Sequence, residues 1–230
     1  MDDKIFRAGR RAGLLLGVVL ALIMFVIAVS AIANSDSFYI KAEDTLSLTE
    51  AMDLKNVDQY IAVYHAVGDM TRGRGFADKN VYAADGSLQK AFNASEAQTM
   101  KTVNTAMILI RVGLIVLLLL AGWLVAHTVL KYHRECLLPT GFFAVTGAIL
   151  CGAALVIGMI LVNGEWGWQI LTVCGGRIAL MVSPAFAKMF TKDLMKIYLF
   201  IMLIPLVIGV VLINLSTKRV GDVSDDYLYQ

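Results

Sequence analysis

A chain of 230 residues that is 58% hydrophobic, with a mean hydropathy of +0.71, is too apolar for an ordinary water-soluble domain. The formal net charge of +2 says little about partners, because in so apolar a chain the placement of charges carries the information. No phosphate-cradling loop, nucleotide fingerprint or basic nucleic-acid patch is present.

The first element is Ala12–Ala33, 22 residues without a charge behind a basic flank of Lys4, Arg7, Arg10 and Arg11. The flank and the Ala31-Ile32-Ala33 triplet imitate a signal peptide. The apolar core exceeds the ~7–15 residues of such a leader, so the segment reads as a membrane anchor. Three further stretches have the roughly 20 apolar residues that span a bilayer. They are Ala106–Leu130, Phe142–Val162 and Ile197–Leu215. The predicted fold is an all-α integral membrane protein of four transmembrane helices in a single membrane domain, residues 1–230.

Orientation follows from basic residues in the short flanks. Lys4 to Arg11, Lys131 with Arg134, and Lys218 with Arg219 all fall on one side of a four-span chain. That side is the cytoplasm, so both ends lie inside and residues 216–230 form a cytoplasmic tail. A loop of 72 residues, 34–105, and a segment covering 163–196 then lie outside.

Within the outer loop, Ser47-Leu48-Thr49-Glu50 reads as a capping box. Leu48, Met52, Val57, Ile61, Tyr64 and Val67 recur near helical spacing, which predicts a helix over Thr49–Met70. Asp85-Gly86 marks a tight turn, and no clear strand pattern is visible. Asn93 followed by Glu96 is a further capping box, predicting a helix that begins in water and continues through the second span.

In the third span, Ala144, Ala148 and Gly152 at four-residue spacing predict close helix packing at the centre of the bundle. Residues 163–196 are hydrophobic but broken by Gly175-Gly176, Arg177 and Pro184. With Trp166 and Trp168 they predict a loop-and-short-helix element at the membrane interface. Pro205 predicts a bend in the fourth span. Cys136, Cys151 and Cys174 have neither disulfide-compatible placement on this topology nor metal-type spacing, so no metal or cofactor is expected.

Few side chains carry chemistry. Arg111 is the one ionised residue well inside a predicted span. Such a charge either snorkels to the headgroups or faces a cavity as an anchor for an anion or carbonyl. His65 is the single histidine of the outer segments, a packed or surface residue unless it serves as a base.

The layout and two short motifs resemble the bacterial lipoprotein intramolecular transacylase (Lit) family, small four-span proteins with a large outer loop after the first span. One motif of that family has the form Phe/Tyr-Asn-x-x-Glu-x-x-His-Met-x-Asp-Val. Here Phe92, Asn93, Glu96, Met100 and Val103 match it, while Thr99 and Thr102 stand at the His and Asp positions. The other motif has the form Phe-His-x-x-x-Phe-x-Asn-x-x-Trp. Asn163 and Trp166 match it, and Ile157 stands at the His position. Tyr39, the helix from Leu46 to His65 and the stretch Ser183–Met195 are also similar to the family.

The resemblance implies an acyl shift from the diacylglycerol ester of a lipoprotein's N-terminal cysteine to that cysteine's own amine. That chemistry needs a base and a stabilised oxyanion. With both family histidines absent, the implied site uses Glu96 or His65 as substitute base, with Thr99 and Thr102 on the same turn. Arg111 and Asn163 would polarise the ester carbonyl, and Trp166 and Tyr39 would line the pocket. The expected partner is a membrane lipid or diacylated lipoprotein at the bacterial cytoplasmic membrane. The alternative is a non-catalytic four-helix accessory, scaffold or lipoprotein-binding subunit, with Glu96 only a cap and Arg111 only a snorkeller. A small transporter is disfavoured by the lack of a pseudo-repeat.

Overall fold

The computed structural model describes residues 3–72, 74, 79–162 and 183–217. The described chain is mostly helical, with four helical stretches long and apolar enough to cross a membrane. It is a multi-pass membrane protein. In chain order the elements are α1 (Asp3–Ile32), α2 (Asp36–Leu46), α3 (Leu48–Ala51), α4 (Val57–Thr71), β1 (Asn80–Tyr82) and β2 (Leu88–Lys90). There follow α5 (Ala94–Tyr132), a 3₁₀ turn (His133–Cys136), α6 (Leu137–Val162), α7 (Pro184–Ile201) and α8 (Leu203–Thr217).

The chain divides into two compact units. The first comprises Met1–Phe25, Gly113–Val156 and Tyr198–Gln230. Its packing rests on glycines. A Cβ added to Gly13 would lie 2.3 Å from the Thr140 carbonyl oxygen, and one added to Gly17 2.1 Å from that of Ala144. Gly9, four residues earlier, lies against the Pro139 ring and the Cys136 carbonyl, so glycines spaced by four on α1 seat it against the start of α6. Gly141 of α6 and Gly209 of α8 make another close approach on the other side of α6. In lipid there is no hydrophobic drive for helices to associate, so van der Waals contact at short range must hold them.

The predicted row on α6 is there: Ala144 and Ala148 are buried, and Gly152 packs on Met202 and Tyr198. Tyr198 also crosses to α1, with its hydroxyl 3.4 Å from the Ala21 carbonyl and its ring edge-on to Phe25. The fourth span is interrupted at Met202, between α7 and α8. Pro205 is the reason: it has no N–H to give the Ile201 carbonyl four residues earlier.

α5 behaves differently from the other spans. Only 6% of its most apolar stretch is buried, against 39% for α1. Leucines, isoleucines and valines face outward all around it, which suits a helix whose surroundings are lipid tails.

The second unit comprises Val26–Val112 and Ile157–Ile197. Its core is aromatic: Phe38 and Tyr39 of α2, Tyr60 and Tyr64 of α4, and Phe186 of α7 are all buried. Tyr39 and Tyr64 lie face to face, centroids 3.8 Å apart, while Phe38 meets Phe186 and Phe190 edge-on.

Two expectations for this region are corrected. The helix expected over Thr49–Met70 is two helices, α3 and α4, with a turn between them in which Asp53 has a φ of +54°. The Ser47 box does not form. Ser47 itself is left-handed, where a capping residue needs an extended backbone, and its side chain makes no cap bond; Glu43 Oε2 accepts from the Thr49 N–H at 2.8 Å instead. Asn56 caps α4 instead, accepting from the Gln59 N–H. A short antiparallel hairpin, β1 with β2, also occupies the connector where no strand was expected. Three-residue strands are too short for a two-residue alternation to show in sequence. The expected turn at Asp85-Gly86 closes it, with Gly86 at φ +84°.

The glycine contacts give a direct test. Gly17→Ala pushes a methyl group into the Ala144 carbonyl and is expected to cost about 1–3 kcal/mol. Gly122→Ala, on α5 where the space is open, is expected to be neutral or stabilising by up to about 1 kcal/mol. Thermal unfolding of both variants in detergent checks the contrast.

Candidate functional site

The head of α5 is built from local hydrogen bonds. Asn93 Oδ1 accepts from the Glu96 N–H at 2.8 Å, and Glu96 Oε2 accepts from the Asn93 N–H at 2.7 Å. This is the reciprocal capping box expected from the sequence, and it starts a helix of 39 residues. Glu96 is buried at 5% exposure, with Phe92 and Met100 buried on either side. A carboxylate at a helix N-terminus is also favoured by the helix dipole.

Thr99 and Thr102 sit one and two turns further along. Each hydroxyl donates to its own helix, Thr99 to the Ser95 carbonyl and Thr102 to the Gln98 carbonyl, both at 3.1 Å. Thr105 repeats the pattern with Lys101. Such back-bonding satisfies the hydroxyl without any ligand.

Arg111 neither snorkels freely nor stands at an open pocket floor. Its Nη1 donates to the Arg72 carbonyl just past the end of α4, and its Nη2 donates to Ser30 Oγ on α1 at 3.1 Å. A cation at a helix C-terminus satisfies carbonyls that have no partner within the helix. One guanidinium therefore clasps three helices, which a lysine's single ammonium would do poorly.

His65 is half-exposed on α4, stacked on Tyr64 and 4.0 Å from Asp36. Its partners lie on α2 and α4 rather than at the head of α5. Asp36 also accepts a hydrogen bond from the Tyr64 hydroxyl. Tyr39, expected to line a pocket, is instead buried at the centre of the aromatic core with 2% exposure. Burial pushes the phenols of Tyr39, Tyr60 and Tyr64 above their ordinary range, and for Tyr64 the Asp36 hydrogen bond adds to it. Asn163 and Trp166 lie outside the described residues.

A groove of about 650 Å³ opens where β2 runs into α5. Its lining includes Gln89, Lys90, Asn93, Glu96, Gln98 and Lys101. Glu96 is thus the single expected catalytic residue that contributes to it. Gln89 Nε2 is buried without a hydrogen-bond partner, and so is Asn104 Oδ1, one turn past Met100 on α5. Neither residue was singled out in the sequence. For Asn104 the signal was there: it follows Glu96 by eight residues and precedes Arg111 by seven, which keeps it near one helix face. Among the described residues no cluster of His, Cys, Asp and Glu could hold a metal ion.

If Glu96 is held as a cap, Glu96→Gln, which the box tolerates, retains the thermal stability of the parent protein. Glu96→Ala loses about 0.5–2 kcal/mol. Thermal unfolding in detergent separates the two. The tyrosines predict a pH limit. Their folded-state values lie above the ordinary value near 10, so their contribution is full below pH ~10 and lost as pH rises through the raised values. Absorbance at 295 nm should show exposed phenols ionising first and these three only as the second unit unfolds. No family model, curated protein or solved structure matches the chain.

Proposed function

We propose that this chain is a multi-pass protein of the bacterial cytoplasmic membrane, with both ends in the cytoplasm. On this reading it handles a membrane lipid or an N-terminally lipidated lipoprotein at the outer face, in the manner of the intramolecular transacylases it resembles. The observation that supports it is the groove at the head of α5. The groove is built largely from Phe92–Lys101, the stretch in which the resemblance lies, and its lining includes Lys101 and Gln89, whose amide nitrogen is buried without a partner. Ester carbonyls and phosphate oxygens are acceptors, so a lipidated N-terminus presents what these donors need.

The reaction would be attack of the cysteine's α-amine on the ester carbonyl, with the amine proton passing to a base. The carbon–oxygen bond to the glycerol then breaks, leaving an amide and an alcohol. Of the expected groups, Glu96 is the one in the groove with a carboxylate, and it is already engaged as a cap. Thr99 and Thr102 spend their hydroxyl protons on their own helix. These bonds favour a second reading, a lipoprotein-binding or accessory subunit that retains the groove without moving the acyl chain.

The deciding experiment is mass spectrometry of lipoprotein N-terminal peptides from a bacterial host that lacks such enzymes and expresses this chain. A transacylase gives peptides acylated on the cysteine amine with one ester lost, and Glu96→Gln abolishes the shift if Glu96 is the base. Unchanged peptides together with lipoprotein that co-purifies with the chain support the binding subunit. Unchanged peptides with no lipoprotein bound overturn the lipoprotein reading altogether.

A further inference from the structure

A second charged surface lies away from the groove, on α7. Lys188, Lys192 and Lys196 recur every four residues and are all exposed. Residues four apart are neighbours on one helix face, so the three ammonium groups form a single row. Phe186, Phe190 and Leu194 recur with the same spacing but are offset from the lysines by two residues, about 200° around the helix. Phe186 and Leu194 are buried, and Phe186 and Phe190 both pack on Phe38 of α2. The aromatic row thus fixes which way α7 faces, and the lysine row is turned away from the protein.

Lys41 on α2 joins the same surface. Asp193 bridges it to the row, lying 3.5 Å from Lys41 and 3.2 Å from Lys196. Four lysines against one aspartate leave the patch strongly positive. The ion pairs do not quench it, because Lys41 and Lys196 remain 60% and 63% exposed. Directly after Lys196 the chain has no charged residue from Ile197 to Thr217, the apolar part of the fourth span. The lysines therefore stand where that helix leaves the hydrocarbon.

We propose that this patch binds the headgroups of anionic phospholipids in the leaflet from which the fourth span emerges. The partner follows from position as well as charge. The row runs directly, along the chain, into the apolar part of the fourth span, which places it at the level of phosphates. Lysine stems can lie along apolar surface while the ammonium reaches them. Each basic residue near an anionic surface is worth about a fivefold gain in binding, and the effect is electrostatic and salt-sensitive. This inference needs only membrane insertion and does not depend on the transacylase or lipoprotein reading.

The test is native mass spectrometry of the full chain in detergent, mixed with equal amounts of phosphatidylglycerol and phosphatidylcholine. The parent protein should carry phosphatidylglycerol preferentially. Neutralising the row as Lys188→Gln, Lys192→Gln and Lys196→Gln should reduce that preference by about fivefold per lysine. Replacing the same lysines by arginine should retain it. If the glutamine variant fails to fold, the parent protein alone decides. Raising ionic strength from about 0.01 M to about 1 M, which shortens the screening length roughly tenfold, should erase the preference. No preference in the parent protein, or one that survives neutralisation or high salt, overturns the proposal.

Discussion

The tightest constraint in the first unit is the approach of the α1 backbone to the α6 backbone at Gly13 and Gly17. Inside a bilayer, apolar side chains gain nothing by leaving lipid for one another, so contact at the shortest range has to do the holding. Glycine permits that range and any larger side chain forbids it. The consequence reaches the fourth span. With α1 seated on α6, the Ala21 carbonyl is available to the Tyr198 hydroxyl and Gly152 leaves room for Met202. Bare α5, with almost none of its apolar stretch buried, shows what a span becomes when no such contact is made.

The second unit is held by other means, because much of it is polar. Aromatic stacking provides its core, and single polar side chains tie its elements together. Arg111 joins Ser30 and the Arg72 carbonyl, the Gln59 carboxamide accepts from the Tyr82 N–H, and Glu43 serves the Thr49 N–H. Each of these satisfies a backbone or hydroxyl group that would otherwise lack a partner. Several residues that suggest chemistry in the sequence are occupied by this structural work. Among the described residues the buried side-chain atoms lacking such a tie are Thr49 Oγ1, the Tyr60 hydroxyl, Gln89 Nε2 and Asn104 Oδ1, none of them a residue whose type suggests chemistry in the sequence.

What could be read in advance divides by distance along the chain. The four spans were legible because a bilayer demands about 20 apolar residues, a property of composition alone. The Asn93–Glu96 box was legible because both partners lie within one turn, and the Asp85-Gly86 turn for the same reason. The Ser47 box failed because Ser47 closes α2 in the left-handed conformation, φ 49°, whereas an N-cap with a side-chain bond has an extended backbone. That conformation is set by how α2 turns into α3, which no four-residue pattern contains.

The sequence by itself determined that this is a membrane protein of four spans whose second span starts in a polar cap, since those features depend on local hydrogen bonding and transfer of side chains into lipid. Only the tertiary structure decided what the polar residues are for. Arg111 meets partners 39 and 81 residues away, and Tyr39 stacks on a ring that belongs to another helix. The lysines of α7 form an outward row because Phe186 and Phe190 are drawn to Phe38. Such assignments follow from which faces come together in three dimensions, and a face has no meaning until its neighbour is in place.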